Sequence, residues 1–287
     1  MGNRDFIIGL YNKANKNGFA IGAFNFSTMD IIKGIHGTAI KMKAPVIMSN
    51  SEGERGFFGY EESVAMYQLL KKRHNPTILH ADHTKSYAEI RKVIDAGYPS
   101  VHFDGSELDY ETNIRETRRC VEYAHANDVF IEGELGGIRG GSTMHTESLK
   151  DIVKEELLTK PEQAYEFCEK TGVDSLAISI GNAHGLWSEQ KKLDFERIKK
   201  IKLLTSKFLV LHGGSGITAP DFRQAILCGI NKININTETR MAFEKALLSG
   251  LAERKDDIPY HYLGKLSDAV SKVVEEKMII FMTENQA

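Results

Sequence analysis

The stretch LHADH (79–83) closes an apolar run with an acid and a histidine side by side, Asp82 and His83. A carboxylate that moves a proton beside an imidazole that binds a metal is the pairing that metal-assisted catalysis uses. Neighbours on a regular strand point to opposite faces, so the pair serves one pocket only where the pleat ends and the chain turns. Two further histidines stand in comparable places, His184 in GNAHG (181–185) and His212 in LHGGSG (211–216). Neutral imidazoles suit zinc or a similar divalent ion, and three protein ligands leave a position open for substrate. Asp104 in SVHFDG (100–105) and Glu134 in VFIEGELGG (129–137) are placed to hold a second metal position or to orient ligands. The glycines of GGSG (213–216) let backbone N–H groups approach an anion, with Ser215 adding a hydroxyl and Thr237 a further donor. Taken singly, each residue has a plainer reading: a packed histidine, a capping aspartate, a glycine that serves a turn. What sets these apart is their common placement.

That placement comes from eight short β-rich runs: 20–26, 44–50, 77–83, 100–105, 129–137, 175–182, 208–214 and 232–237. Each is apolar, rich in β-branched residues and bounded by Gly, Asn or Asp. Amphipathic helical stretches lie between them, including 87–98, 109–128, 161–172 and 220–230. The first sets Ile90, Val93 and Ile94 at helical spacing before Gly97, and Asp109 stands as the N-cap of the second. Eight strand–helix units without a Pro/Ser-rich linker predict a single α/β domain over 1–287, a (β/α)8 TIM barrel, with a doubly wound open sheet as the other arrangement. An extra C-terminal helix is expected over 264–282. The longest interruption, 139–160, follows the fifth strand and has the length of a lid or binding loop. In a barrel, chemistry sits where strands end. Asn25, Ser51, Asp82, His83, Asp104, Glu134, His184, His212, Asn234 and Thr237 all fall at or near that end. His80 reads as a hydrogen-bonded core residue, and His36, His74, His102, His125 and His261 as structural or exposed.

Composition narrows the function classes. With 41% hydrophobic and 26% charged residues the chain is that of a soluble globular protein. A net charge of −2 gives no wide basic surface for nucleic acid. No apolar run reaches the roughly 18 residues of a membrane span. The start reads as a helix rather than a signal peptide, and Phe6 stands where a myristoylation signal has Ser or Thr. Cys120, Cys168 and Cys228 lie far apart without a CxxC pair, as in packed, reduced thiols of a cytoplasmic protein.

These residues, in this order, resemble the class II, metal-dependent fructose-bisphosphate aldolase family, which includes tagatose-bisphosphate aldolases. The resemblance is carried by PTILHADH (76–83), SVHFDGSEL (100–108), ETNIRETRRCVEYAH (111–125), IEGELGG (131–137), TGVDSLAISIGNAHG (171–185), FLVLHGGSGI (208–217) and GINKININTE (229–238). It implies a (β/α)8 barrel that reversibly cleaves a phosphorylated ketose, fructose 1,6-bisphosphate foremost, to dihydroxyacetone phosphate and an aldehyde. It implies His83, His184 and His212 as zinc ligands and Asp82 as the acid/base at the C4 hydroxyl. Asp104 and Glu134 match an alternative metal site. Gly185, Gly213, Gly214, Ser215, Asn234, Ile235, Asn236 and Thr237 match segments that bind the dihydroxyacetone phosphate half. Gly185 and the 213–215 turn also resemble a monovalent-cation (Na+ or K+) site, and Asn25 and Ser51 match polar substrate-side positions. A homodimer or homotetramer is implied as well.

Two departures bear on substrate. RGGSTMHTES (139–148) has no acid directly after Gly141, where the family carries the base that exchanges the C1 proton; either Glu147 or His145 substitutes or the step differs. In IPYHYL (258–263) Tyr260 replaces an arginine that contacts the distal phosphate, a role open to Arg240. Three rival readings remain: a Schiff-base aldolase using Lys232, an amidohydrolase-like enzyme, and a barrel retained for binding without catalysis. The first leaves the three histidines unexplained. The second wants an HxH pair where strand one reads AFNFS (23–27).

Overall fold

The computed structural model describes residues 2–73, 75–141 and 143–287, so His74 lies outside the described residues. The strands are β1 (Ile21–Asn25), β2 (Val46–Asn50), β3 (Thr77–Thr84), β4 (Ser100–Phe103), β5 (Phe130–Leu135), β6 (Met144–His145), β7 (Ser175–Ile178), β8 (Leu186–Trp187), β9 (Phe208–Leu211) and β10 (Ile230–Ile235). All but β6 and β8 form one closed parallel barrel. Closure is made between β1 and β10, with Ala23 opposite Asn234. This settles the (β/α)8 barrel over the open sheet. The sixth, seventh and eighth strands expected from sequence are β7, β9 and β10.

The helices form where local chemistry starts and stops them. The helix Tyr87–Ala96 buries Ile90, Val93 and Ile94 as their spacing requires, and Gly97 ends it in the left-handed conformation. Asp109 accepts a hydrogen bond from the Thr112 backbone N–H and opens the helix Tyr110–Ala126. Cys120, Cys168 and Cys228 are buried and unpaired. Burial pushes the Cys120 and Cys168 thiols up to about 12, which suits packing rather than reactivity.

The two ends of the barrel differ. Where strands begin, Ile7, Leu10, Tyr11 and Ala14 of the helix Asn3–Asn17 pack onto Phe19, Ile78 and Phe130. The expected C-terminal helix spans Leu266–Ile280 and lies across the helix Met29–Met42. Gly34 permits that crossing, because a Cβ there would stand 2.8 Å from the Ser267 carbonyl. Beyond it, fully buried Phe281 meets Phe222 edge-on, and its carbonyl accepts from Ala20 N–H just before β1. This end is plugged with apolar side chains, so function is left to the other.

The 139–160 segment is less open than its composition suggests. It holds β6, a short helix Leu149–Ile152 and a 3-10 turn Glu155–Leu157. β6 pairs in parallel with β8, tying this segment to the loop that follows β7. Among the described residues no helix is long and apolar enough to cross a membrane.

Phe281→Ala is expected to lower the unfolding free energy by about 3–5 kcal/mol, the usual cost of deleting a buried phenyl ring. Urea unfolding followed by circular dichroism checks it, and a loss below about 1 kcal/mol, near the range of surface substitutions, contradicts the plug.

Candidate active site

β3 does not end at His83; it runs on to Thr84. Its pairing with β4 shifts register between Ala81 and Thr84, and His83 takes φ +45°. This bulge interrupts the alternation, so Asp82 and His83 serve the same cavity. A histidine in the left-handed region costs about 1–3 kcal/mol and needs support from its surroundings. Fully buried Arg55 supplies it, donating from Nη1 to the carbonyls of Asn50 and Asp82 and from Nη2 to Thr84 Oγ1, each at 2.9 Å.

Inside the cavity His83 Nε2 and His212 Nδ1 face each other at 3.1 Å. The other ring nitrogen of each is held by a carboxylate: His83 Nδ1 lies 2.8 Å from Asp104 Oδ2, and His212 Nε2 lies 2.7 Å from Glu132 Oε1. Carboxylates on the outer nitrogens fix the tautomers and leave the inner nitrogens for a metal. The ring of His184 stands beside them, with centroids 5.1 Å from His83 and 6.1 Å from His212, but among the described residues its nitrogens do not join the groups of ligand atoms that converge within 4.8 Å. Burial pushes His184 and His212 down, keeping them neutral, whereas Asp82 and Asp104 outweigh burial at His83 and raise it. Ligand atoms of Asp82, His83, His102 and His212 lie within 4.8 Å of one another, as do those of His83, Asp104 and Glu134. The carboxylates of Asp82, Asp104, Glu132 and Glu134 crowd this space against one lysine, Lys232. Glu134 Oε2 and His102 Nε2, both buried, lie 3.3 Å apart. Facing imidazole nitrogens and surplus negative charge together fit a divalent cation.

Asp82 is held from both sides. Asn25 Nδ2 donates to Oδ2 at 3.1 Å and Asn234 Nδ2 to Oδ1 at 3.2 Å. Burial alone would raise its pKa, but His83, His102, His212 and Lys232 hold the carboxyl well below the usual range. Above it opens a cleft of about 310 Å3, lined by Asn25, Ser51, Gly185, Gly213, Gly214, Ser215, Asn234, Asn236, Thr237 and Arg240. The helix Thr237–Glu253 begins there, so the positive end of its dipole faces the cleft. Asp104 and Glu134 line a second cleft of about 330 Å3 beyond His83 and His184. Ile235 is the exception among the expected binding residues, since its side chain is in the core.

The family model for class II fructose-bisphosphate aldolases matches residues 7–286. The chain belongs to the class II fructose-bisphosphate aldolase family. Among solved structures, the YdjI aldolase of Escherichia coli K12 shares 33% identity, with 98% of each chain covered and a TM-score of 0.84. A fructose-bisphosphate aldolase of Campylobacter jejuni shares the fold at 23% identity, covering 100% of this chain and 97% of its own, with a TM-score of 0.82. As a class II aldolase, the chain is a lyase.

Several residues of this aldolase site escape a strand-end search. His102, expected to be structural or exposed, is fully buried beside Asp82 and Glu134; burial would lower it, but Asp82, Glu134 and Glu132 carry it up to about 10. Glu132 joins His212 to Lys232, whose Nζ lies 2.8 Å from Oε2. Glu54 Oε2 accepts from Ser51 N–H and Asn25 Nδ2, both at 2.8 Å, while Oε1 accepts from Asn236. His80 is the hydrogen-bonded core residue expected, between Ser100 and Lys232. His36 is buried, His125 contacts Asp174, and His261 contacts Asp256 at the surface. Lys232 is fully buried and occupied by Glu132 and His80, so a Schiff base there is sterically and electrostatically closed.

The two departures are placed as follows. His145 stacks on Trp187 at 4.1 Å, Nε2 lies 2.7 Å from the Gly141 carbonyl, and Nδ1 lies 3.2 Å from Glu147. The Glu147 side chain is 66% exposed and lines neither cleft. Tyr260 is 74% exposed and away from the clefts, whereas Arg240 lines the first.

Lys232, with hydrogen bonding from His212, outweighs burial and holds Glu132 well below the ordinary glutamate value of 4.5. The unfolded chain therefore binds a proton that the folded chain does not, and the stabilisation, present above that value, is lost as pH falls below it. Metal-free protein is expected to lose unfolding free energy as pH drops below 4.5, with a shallower slope in Glu132→Gln. Urea titrations at stepped pH check this; equal slopes contradict it.

Proposed function

We propose that this class II aldolase is zinc-dependent and reversibly cleaves a phosphorylated ketose, fructose 1,6-bisphosphate, to dihydroxyacetone phosphate and an aldehyde. The observation that carries the reading is the 3.1 Å approach of His83 Nε2 and His212 Nδ1, each backed by a carboxylate, directly beside Asp82. His83, His212 and His184 would hold the ion, with Asp104 and Glu134 as its alternative or second position. When bound, it supplies a Lewis acid for the negative charge that cleavage develops on the ketose oxygens.

The chain's own groups divide the remaining work. Asp82 is ionised at neutral pH and accepts the C4 hydroxyl proton in cleavage, returning it in condensation. Asn25 and Asn234 keep its carboxylate turned into the cleft. The Gly213–Ser215 turn, Thr237 and the start of its helix receive the phosphate of the dihydroxyacetone half, which holds the C3–C4 bond in reach. Gly185, Asn236, Ser51 and the backbone around Ile235 shape that subsite, and Arg240 takes the distal phosphate. Glu147, on the segment zipped to the His184 loop, exchanges the C1 proton after closure. The reading extends to a cytoplasmic homodimer or homotetramer.

The test is a panel of fructose, tagatose and related ketose phosphates, coupled to triose-phosphate detection, with zinc and with chelator. Cleavage of fructose 1,6-bisphosphate that needs zinc is expected. A preference for the tagatose epimer replaces the sugar, and activity that survives chelation and traps with borohydride overturns the mechanism. Asp82→Ala should keep its metal, read by elemental analysis, and lose about 10² to 10⁴ in turnover, the range for a positioned acid/base. Near-normal turnover removes Asp82 from the mechanism. Glu147→Gln is expected to slow deuterium exchange into dihydroxyacetone phosphate with metal content unchanged. If neither it nor His145→Gln slows exchange, the base lies elsewhere.

A further inference from the structure

Lys191 follows β8 and is 2% exposed. Its Nζ donates to three backbone carbonyls, those of Gly185 at 2.9 Å, Gly213 at 2.8 Å and Ser215 at 2.5 Å. Three acceptors match the three hydrogens of an ammonium, whereas a neutral amine would turn its lone pair onto one of the oxygens. No carboxylate enters the contact; a cage of neutral carbonyl oxygens is how proteins coordinate small hard cations. The backbone is bent to make it. Gly185 and Gly213 have φ of +85° and +62°, and a Cβ on either would stand 2.4 Å from a carbonyl oxygen, of Thr143 and Ala183 respectively. The caged peptides belong to the two loops that carry His184 and His212, and Gly185 with the 213–215 turn is where the sequence resembles a monovalent-cation site.

We propose that the Lys191 ammonium is a built-in replacement for that cation, clamping the two loops and placing positive charge behind the phosphate turn. Lys191 is a positioning residue: its hydrogens are spent on backbone and it does not line the cleft. A tethered ammonium has no dissociation equilibrium, so the loops stay clamped without dissolved Na+ or K+. Burial pushes the group down to about 7 and Glu238 works in the opposite direction; an anion in the adjoining turn adds to the second effect. The identity of that anion as substrate phosphate rests on the function proposed above; the clamp itself does not.

The experiment compares choline chloride, NaCl and KCl at constant ionic strength, using the full-length zinc-loaded protein. The wild type is expected to show the same thermal midpoint and the same KM for the ketose phosphate in all three salts. In choline chloride, Lys191→Ala should melt lower and show a KM raised about tenfold or more, as when charge-assisted hydrogen bonds are lost. Added NaCl or KCl should restore both saturably, because the emptied cage takes the ion. Lys191→Met fills the cage with an uncharged stem and should keep the raised KM in every salt. Saturable activation or stabilisation of the wild type by Na+ or K+ overturns the proposal, and this arm needs no variant. A Lys191→Ala protein with unchanged KM in choline, or one that no small cation rescues, overturns it as well. If the wild type cleaves no ketose phosphate, the function falls, and the salt dependence of the melting temperatures still decides Lys191.

Discussion

A strand sends successive side chains to opposite faces, and the site depends on the one place where β3 does not. At His83 the register slips and the backbone turns left-handed, so the carboxylate of Asp82 and the imidazole of His83 reach one cavity from adjacent residues. Adjacency fixes their spacing covalently, with no helix or loop motion able to separate them. The cost is met from below, where Arg55 spans the slip from Asp82 to Thr84 and reaches back to β2 at Asn50. Arg55 thus supports the bulge without lining the cleft.

Charge sets the second constraint. Carboxylates taken out of water destabilise a fold unless each finds a counter-charge. Glu132 finds Lys232 and His212, and Asp104 finds His83, but the set as a whole keeps surplus negative charge around nitrogens that already face each other. A divalent ion, which the family implies, would be held by these facing imidazoles and would offset the surplus, coupling its binding to the local fold. Burial keeps His184 and His212 neutral, and the neighbours of Asp82, namely His83, His102, His212 and Lys232, outweigh burial and hold its carboxyl low.

Much of this was legible in the chain, and the failures have physical causes. The barrel follows from eight apolar runs and from helices whose caps are local. The histidines at strand ends and the glycine turn were visible because strand-end position is itself sequence-local. His102 and Glu132 lie inside β4 and β5, where a criterion of strand-end position does not reach. Period-two spacing holds the signal: His80 with Asp82 and Glu132 with Glu134 share a face of β3 and β5, and His102 on β4 stands two residues before Asp104, just past the strand. Glu54 was marked by the S-x-x-E capping box that Ser51 begins. Lys191 had no such mark, since its three partners lie in two distant loops and only tertiary closure brings them to one nitrogen.

The loops at the open end then behave as coupled parts rather than independent arms. β6 pairs with β8, Arg139 accepts through its carbonyl from His184 N–H, and Trp187 Nε1 donates to the His184 carbonyl while stacking on His145. Gly185 sits at the junction, where a Cβ would stand 2.5 Å from the Gly141 carbonyl. The segment that departs most from the family is therefore fastened to His184, and the next residue, Gly185, is fastened by Lys191 to the Gly213–Ser215 turn. The backbone around His184 is thus held from two loops at once, by the Arg139 carbonyl on one side and through Gly185 by Lys191 on the other, so neither loop sets the position of this histidine alone.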